Sequence, residues 1–302
     1  MGEKMQERQN LRNAPKDIAA ALVPGGKEAC SLTRLRGEED SGECDAWRAE
    51  TPRGIYFLKK NKGYEREIYD ACFSGEAELP VPARVAADDA YSVYEFFSGD
   101  TLCRCTRSAL TLALDALLLL QTRMAESGAH AGCTPEQDSA RMAARAAYLP
   151  AGAIADAYSL YLEAYRRTPC VMGHGDLLPF NVLAGNGRAV LTDWEYAGVL
   201  PYPAPLARLI AHGEEKEDSL FFMRDADRAF AARYYGERLP RCFGVSAQEY
   251  VRTLGLFVFA EYCEWVYLGK RYEQTGTERY RRYRRLAERA ADSICKKSVG
   301  FS

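Results

Sequence analysis

Apolar positions change period along this chain: short alternating runs fill the first hundred residues, and long stretches of helical spacing follow, with one return to short runs after Pro169. ACSLTRL (29–35), CDAWRAE (44–50) and GIYFLKK (54–60) read as three short strands, separated by the polar stretch RGEEDSGE and by the turn TPRG. In the third strand a period of two sends Lys59 and Lys60 to opposite faces. YEREIYDACFSG then reads as a helix, Pro80 and Pro82 end it, and YSVYEFFSG reads as an apolar strand ending at Gly99. From there the pattern is helical. Residues 107–128 are apolar around most of the helix circumference and stop at Gly128, and two further helices cover about 136–149 and 151–167. A long helix through 250–274 and a basic amphipathic one, ERYRRYRRLAERA, close the chain.

Residues 171–198, VMGHGDLLPFNVLAGNGRAVLTDWEYAG, predict a β-hairpin, because Asn186-Gly187 suits the two left-handed positions of a type I′ turn. With that turn Gly185 pairs Arg188, and counting back places Asp193 opposite Phe180, beside Asn181. Strict alternation would send Asn181 and Asp193 to opposite faces, so a loop or bulge has to turn one of them. Asp176, Asn181 and Asp193 then converge on one mouth. A carboxylate and an amide able to hold magnesium, beside a second carboxylate able to accept a hydroxyl proton, are the parts that phosphoryl transfer needs.

The pattern H-x-D-x-x-x-x-N, with an Asp on a strand twelve residues later, resembles the aminoglycoside phosphotransferase and choline kinase superfamily. HGDLLPFNVL and DWEYAG carry the likeness, which is greatest to bacterial choline-kinase-like proteins. The resemblance implies an α+β, bilobal, protein-kinase-like fold. Residues 1–98 would form a small antiparallel-sheet nucleotide lobe and 99–302 a larger, mainly helical lobe for catalysis and acceptor binding. It makes Asp176 the catalytic base, His174 the support of its loop, and Asn181 and Asp193 the magnesium ligands. Lys59 would pair the α- and β-phosphates, oriented by Glu67, with Glu65 as the alternative. Tyr94 would back the adenine pocket, with the backbone of Glu95 and Phe97 as adenine partners, and the amides near Ser41 and Gly42 would cover the phosphates. That covering loop departs from the usual composition, since Glu38, Glu39 and Asp40 would repel a triphosphate unless turned outward.

On the acceptor side the resemblance points to Glu195 of DWEYAG and to the late helix. There Leu254, Val258, Trp265 and Leu268 form one stripe with Glu261 at its centre. Tyr262 and Trp265 would enclose a cationic group, at about 2 kcal/mol for a desolvated contact. The alternative is that both aromatics are core and Glu261 neutralises an arginine. Only WEYAGVLPYPA separates Asp193 from the next helix near Pro205, too short to dock a peptide, which favours a small-molecule acceptor. The helix itself, PLARLIA, lacks the Asp that many relatives carry before it.

Composition narrows the classes. The 302 residues carry a net charge of −2 with a pI near 6.1, which gives no nucleic-acid signature. The polar start has no signal-peptide core, and the longest apolar run, LALDALLLL, is interrupted by Asp115 and is too short to cross a bilayer. A cytoplasmic protein without membrane or nucleic-acid partners is expected. Ten scattered cysteines without a C-x-x-C motif read as reduced thiols. The expectation is an ATP- and magnesium-dependent kinase for a hydroxyl on a small cationic molecule such as choline or ethanolamine. An aminoglycoside phosphotransferase and a nucleotide-binding pseudokinase are the alternatives.

Overall fold

The computed structural model describes residues 15–36, 43–74, 78–212, 221–239 and 243–299. After a helix α1 over 15–22, the amino-terminal part builds one antiparallel sheet from β1 (Ser31–Arg36), β2 (Glu43–Thr51), β3 (Gly54–Lys60), β4 (Arg84–Ala87) and β5 (Tyr91–Glu95), in the order β1-β2-β3-β5-β4. The strand pattern predicts three of these within a residue or two. β4 is only four residues long and passes unseen between two prolines and a turn, and β5 stops at Glu95 rather than Gly99.

Alternation in β3 separates two cores. Leu58 packs with Trp47, Ala49 and Val93 under α1, while Phe57 faces the larger core. Lys59 therefore shares the Phe57 face, turned to the cleft, and Lys60 is exposed, as the period of two predicts. Across the cleft face lies α2 (Glu65–Ile68), continued by a π-helical turn over Tyr69–Phe73.

The second part is built around α3 (Arg107–Ser127), which starts at the side-chain cap Thr106 and ends on left-handed Gly128. By length and composition α3 could cross a membrane, which the nine-residue apolar run alone does not suggest. In this fold it is the central helix of the larger lobe, packed against β7 (Cys170–Gly173), β9 (Arg188–Leu191) and α7 (Asp225–Arg238). Helices α4 (Pro135–Arg145), with a complete capping box at Thr134, α5 (Ala153–Arg167), α6 (Ala204–Ala211), α8 (Ala247–Arg271) and α9 (Glu278–Val299) complete the lobe. The two lobes meet where the Tyr64 amide donates to the Glu195 carbonyl at 3.0 Å.

The hairpin is narrower than the sequence suggests. β8 (Val182–Gly185) and β9 pair through Gly185↔Arg188 up to Val182↔Leu191, in the predicted register, around Asn186 (φ 51°) and Gly187 (φ 74°). β7 instead pairs with β10 (Gly198–Pro201), and β8 takes β6 (Asp100–Thr101) as its other neighbour. A Cβ at Gly187 would meet nothing within 4 Å, so its only obstacle is the backbone angle. Gly187→Val is expected to lower stability by about 1–2 kcal/mol through left-handed strain alone. A chemical-denaturation curve unchanged from the parent would contradict the turn assignment.

Candidate active site

The conflict between Asn181 and Asp193 is resolved on both strands at once. Asn181 ends a 3-10 turn, Pro179–Asn181, whose amide at Asn181 donates to Leu178 O at 2.9 Å. Opposite, the Thr192 amide donates to Asn181 O at 2.9 Å, and the next residue, Asp193, takes φ 67°. A left-handed non-glycine residue costs on the order of 1–2 kcal/mol, and such strain collects at functional positions. Here it ends the pairing and swings the Asp193 carboxylate across the cleft to Lys59.

Lys59 Nζ lies 2.5 Å from Asp193 Oδ1 and 2.9 Å from Glu65 Oε2. The two carboxylates outweigh the burial of the amine and hold the lysine pKa above its ordinary value. Burial pushes the Glu65 carboxyl up, against the pull of Lys59. This corrects the expectation for Glu67, which instead accepts the Gly132 amide at 3.1 Å. The reason is helical phase: Glu65, Ile68, Tyr69 and Cys72 form one buried face, and Glu67 points away from it. Glu65, the alternative to Glu67 in the sequence reading, is 3% exposed. The apolar positions 68, 69 and 72 carry that signal in the sequence, because they project back onto 65 rather than 67.

Asp176 sits in the loop after β7, where Gly175 (φ 74°) passes so close to Tyr196 that a Cβ would lie 2.0 Å from its carbonyl oxygen. His174 is fully buried and braces this loop. Its Nε2 donates to Thr192 O at 2.6 Å, its Nδ1 accepts the Asp176 amide at 3.4 Å, and its ring packs 4.6 Å from Trp194. Burial lowers its pKa, consistent with the neutral ring that this donor and acceptor pair requires. Asn181 Nδ2 donates to the Asp176 carbonyl at 2.8 Å, which turns Oδ1 the other way. That oxygen and the half-open Asp193 carboxylate form a hard-oxygen donor set of the kind magnesium takes together with phosphate oxygens and water. Among the described residues no group of three or more His, Cys, Asp or Glu could hold a metal, so any ion here depends on the amide and on a phosphate.

Tyr94 is buried against Tyr69, with ring centroids 5.0 Å apart, and next to Glu65. Of the Glu95 backbone, expected as an adenine partner, the amide donates to Ala83 O at 2.8 Å, just before β4. Phe97 lies just beyond β5, under the Arg188 guanidinium at 5.3 Å. Ser41 and Gly42 lie outside the described residues.

A cavity of about 300 Å³ opens beside Asp176. Its walls repeat one spacing: Asp138, Arg141, Met142 and Arg145 from α4, and Phe257, Ala260, Glu261 and Glu264 from α8, each an i, i+3, i+4, i+7 face. Tyr161 and Tyr165 of α5, Tyr196 and Arg208 of α6 also line it. Arg208 Nη1 donates to Glu261 at 2.8 Å and Glu264 at 3.0 Å, and Arg145 donates to Glu264 at 2.9 Å.

The acceptor expectation is corrected at three residues. Glu261 does face the cavity, but on the same carboxylate that holds Arg208. Tyr262 and Trp265 occupy the neighbouring face of α8, turned to α9. The Tyr262 hydroxyl accepts from Arg228 at 2.8 Å, and Trp265 stacks on Tyr283 at 5.4 Å beneath Arg279. Glu195 is not part of the cavity wall. It stands on the Lys59 side, where burial and the Asp193 charge raise its pKa. The aromatic wall of Tyr161, Tyr165, Tyr196 and Phe257 was missed, since three separate segments supply it.

The fold is shared with small-molecule kinases of protein-kinase-like architecture. The structure of choline kinase LicA from Streptococcus pneumoniae matches with a TM-score of 0.61 at 17% identity, over 94% of this chain and 99% of that one. Choline kinase from Cryptosporidium parvum matches with a TM-score of 0.58 at 13% identity, over 93% and 97%. A thermostable mutant of aminoglycoside phosphotransferase APH(4)-Ia, in ternary complex with ADP and hygromycin B, matches with a TM-score of 0.58 at 16% identity, over 95% and 98%. No family model matches the chain, and no curated protein matches it by sequence.

Because Glu65 and not Glu67 holds Lys59, the two glutamates have separable roles. In a kinase built on this site, Glu65→Gln would lower kcat/KM for ATP by about tenfold or more, a loss near 1.4 kcal/mol of transition-state stabilisation. Glu67→Gln, which keeps an oxygen for Gly132, should stay within about threefold, well under 1 kcal/mol. Steady-state kinetics on the pair checks this, and the reverse ranking would contradict the observed phase of α2.

Proposed function

We propose that this protein is a phosphotransferase that moves the γ-phosphoryl group of ATP, with magnesium, to a hydroxyl of a small molecule held in the cavity beside Asp176. The observation that carries the reading is the contact of Lys59 on β3 with Asp193 at the end of β9, beside the loop of Asp176 and Asn181, reached only because Asp193 leaves the strand at φ 67°. Lys59 is placed to neutralise the α- and β-phosphates while Glu65 keeps it aimed. Asn181 Oδ1 and the Asp193 carboxylate would hold magnesium, which supplies charge neutralisation at the phosphates. Asp176 is placed to orient the acceptor hydroxyl and take its proton, and His174 keeps that loop in position. The contact of Lys59 with Asp193 and Glu65, and of Asn181 and His174 with the Asp176 loop, speaks against a nucleotide-binding pseudokinase.

The charge of the cavity supports a cationic acceptor, on different residues from those the sequence suggested. Four carboxylates (Asp138, Asp176, Glu261 and Glu264) stand against three guanidiniums (Arg141, Arg145 and Arg208), so a bound monocation leaves the wall neutral. Burial raises the Glu261 pKa, with Glu264 adding to it against Arg208, while for Glu264 burial is outweighed by the guanidiniums of Arg208 and Arg145, which lower its pKa. Tyr161, Tyr165, Tyr196 and Phe257 offer the ring faces an ammonium needs. An amino alcohol of choline or ethanolamine size suits about 300 Å³ better than a multi-ring aminoglycoside.

The test is ADP release from magnesium-ATP against choline, ethanolamine, several aminoglycosides and neutral sugars. Stimulation by one cationic hydroxyl compound is expected. Asp176→Ala should remove that turnover by a factor of about 10² or more while leaving ATP affinity within a few fold. Retained turnover in this variant would sink the role of Asp176, and stimulation by sugars alone would sink the cationic acceptor.

A further inference from the structure

Arg208 is the charged group in the acceptor cavity that touches the catalytic loop. Its Nε and Nη2 both reach Asp176 Oδ1, at 2.9 and 2.8 Å, and Nη1 holds Glu261 and Glu264. The side chain is 15% exposed, so these contacts are made largely away from water. The two carboxylates and Asp176 hold its pKa well above the ordinary value, so it stays charged at any working pH. No other side chain contacts the Asp176 carboxylate in the hydrogen bonds and ion pairs of the described residues.

We propose that Arg208 is a positioning residue for phosphoryl transfer: its guanidinium fixes Asp176 through Oδ1 and leaves Oδ2 as the oxygen that meets the acceptor hydroxyl. The proposal rests on the phosphotransferase reading and adds to it a residue that touches neither nucleotide nor reacting atoms. Holding Oδ1 sets the rotation of the carboxylate about Cβ–Cγ and so the direction of Oδ2, and two charge-assisted donors on that oxygen hold it more firmly than one. A guanidinium has donors for Asp176 on one side and for Glu261 and Glu264 on the other, whereas the compact ammonium of a lysine does not reach both. The anchor at the other end is double, Glu261 and Glu264 one turn apart on α8, with Arg145 bracing Glu264 from α4. Asp176 is thereby tied to the cavity wall that receives the acceptor. Its own loop fixes the backbone through His174 and Asn181 and leaves the carboxylate to Arg208.

The test measures ADP release from magnesium-ATP, with and without choline, in the parent, Arg208→Met and Arg208→Lys, with rates referred to the concentration of nucleotide-binding sites and folding followed by thermal melts. Basal release with water as acceptor draws on the same carboxylate, so the readout survives if choline is not the acceptor. Arg208→Met is expected to lose about a hundredfold in kcat, with KM for ATP within about threefold, because misplacement of a catalytic group acts on transfer and not on nucleotide binding. Arg208→Lys keeps the charge opposite Glu261 and Glu264, and with it the fold, but offers one point in place of a fork. Its kcat should lie between the two, about tenfold below the parent. If the methionine variant fails to fold, the lysine variant alone decides: a kcat equal to the parent's overturns the proposal. So does a kcat raised by either substitution, which would make Arg208 a mask on Asp176, or a loss confined to KM for choline, which would make it a binding residue. Absence of ADP release from the parent is a different failure, since it overturns the phosphotransferase reading itself and the assignment of Arg208 with it.

Discussion

The contact between Lys59 and Asp193 is the one on which the rest of the site depends. It joins the third strand of the small sheet to the end of the catalytic hairpin across 134 residues of chain, with Glu65 as the second anion on the amine. Two carboxylates on one ammonium are stable out of water only if the geometry is good, because each ion gives up several kcal/mol of hydration. The fold meets that demand by fixing all three groups through backbone rather than side-chain freedom. Lys59 follows from strand alternation, Glu65 from the buried face of α2, and Asp193 from a strained left-handed angle. Removing Lys59 would leave the buried Glu65 carboxylate without its partner, whereas loss of either acid leaves the amine paired with the other.

What was legible in the sequence follows the range of the interactions. His174, Asp176, Asn181 and Asp193 lie within 20 residues, and a type I′ turn at Asn186-Gly187 fixes how they face each other, so spacing was enough. A period of two separated Lys59 from Lys60, and the family resemblance chose Lys59. Glu65 against Glu67 depended on helical phase, and the π-helical turn over Tyr69–Phe73 makes that helix depart from ideal spacing one turn later. The acceptor cavity was not legible. Its wall comes from α4, α5, α6 and α8, and the rotation of one helix against another is set by packing that no local pattern encodes. The stripe through Glu261 marked a carboxylate needing a partner, but the partner, Arg208, lies 53 residues away in a helix that drew notice only for a missing Asp.

That missing Asp and Arg208 belong together. In PLARLIA the position before the leucine is Pro205, and the charged residue comes one turn later with the opposite sign. A cation there can hold the side chain of Asp176 directly, which an acid in the helix could not do. The consequence for the cavity is a wall of paired charges, with Arg141 on Asp138, Arg145 on Glu264 and Arg208 on Asp176, Glu261 and Glu264, in which carboxylates outnumber guanidiniums by one. On the proposed reading such a wall suits a small cation by balance of charge rather than by one dedicated carboxylate, and it places Glu261, Glu264 and Asp176 on a single arginine.

The central claim is that Asp193, carried across the cleft by its backbone, is the group through which magnesium and nucleotide are bound together. Calorimetric titration of ATP with and without magnesium, into the parent and into Asp193→Asn, measures this directly. The parent should bind magnesium-ATP about tenfold or more tighter than free ATP, a difference of at least about 1.4 kcal/mol. The Asn variant should lose most of that difference while keeping affinity for the metal-free nucleotide. The same magnesium dependence in both proteins, or none in the parent, would contradict the account.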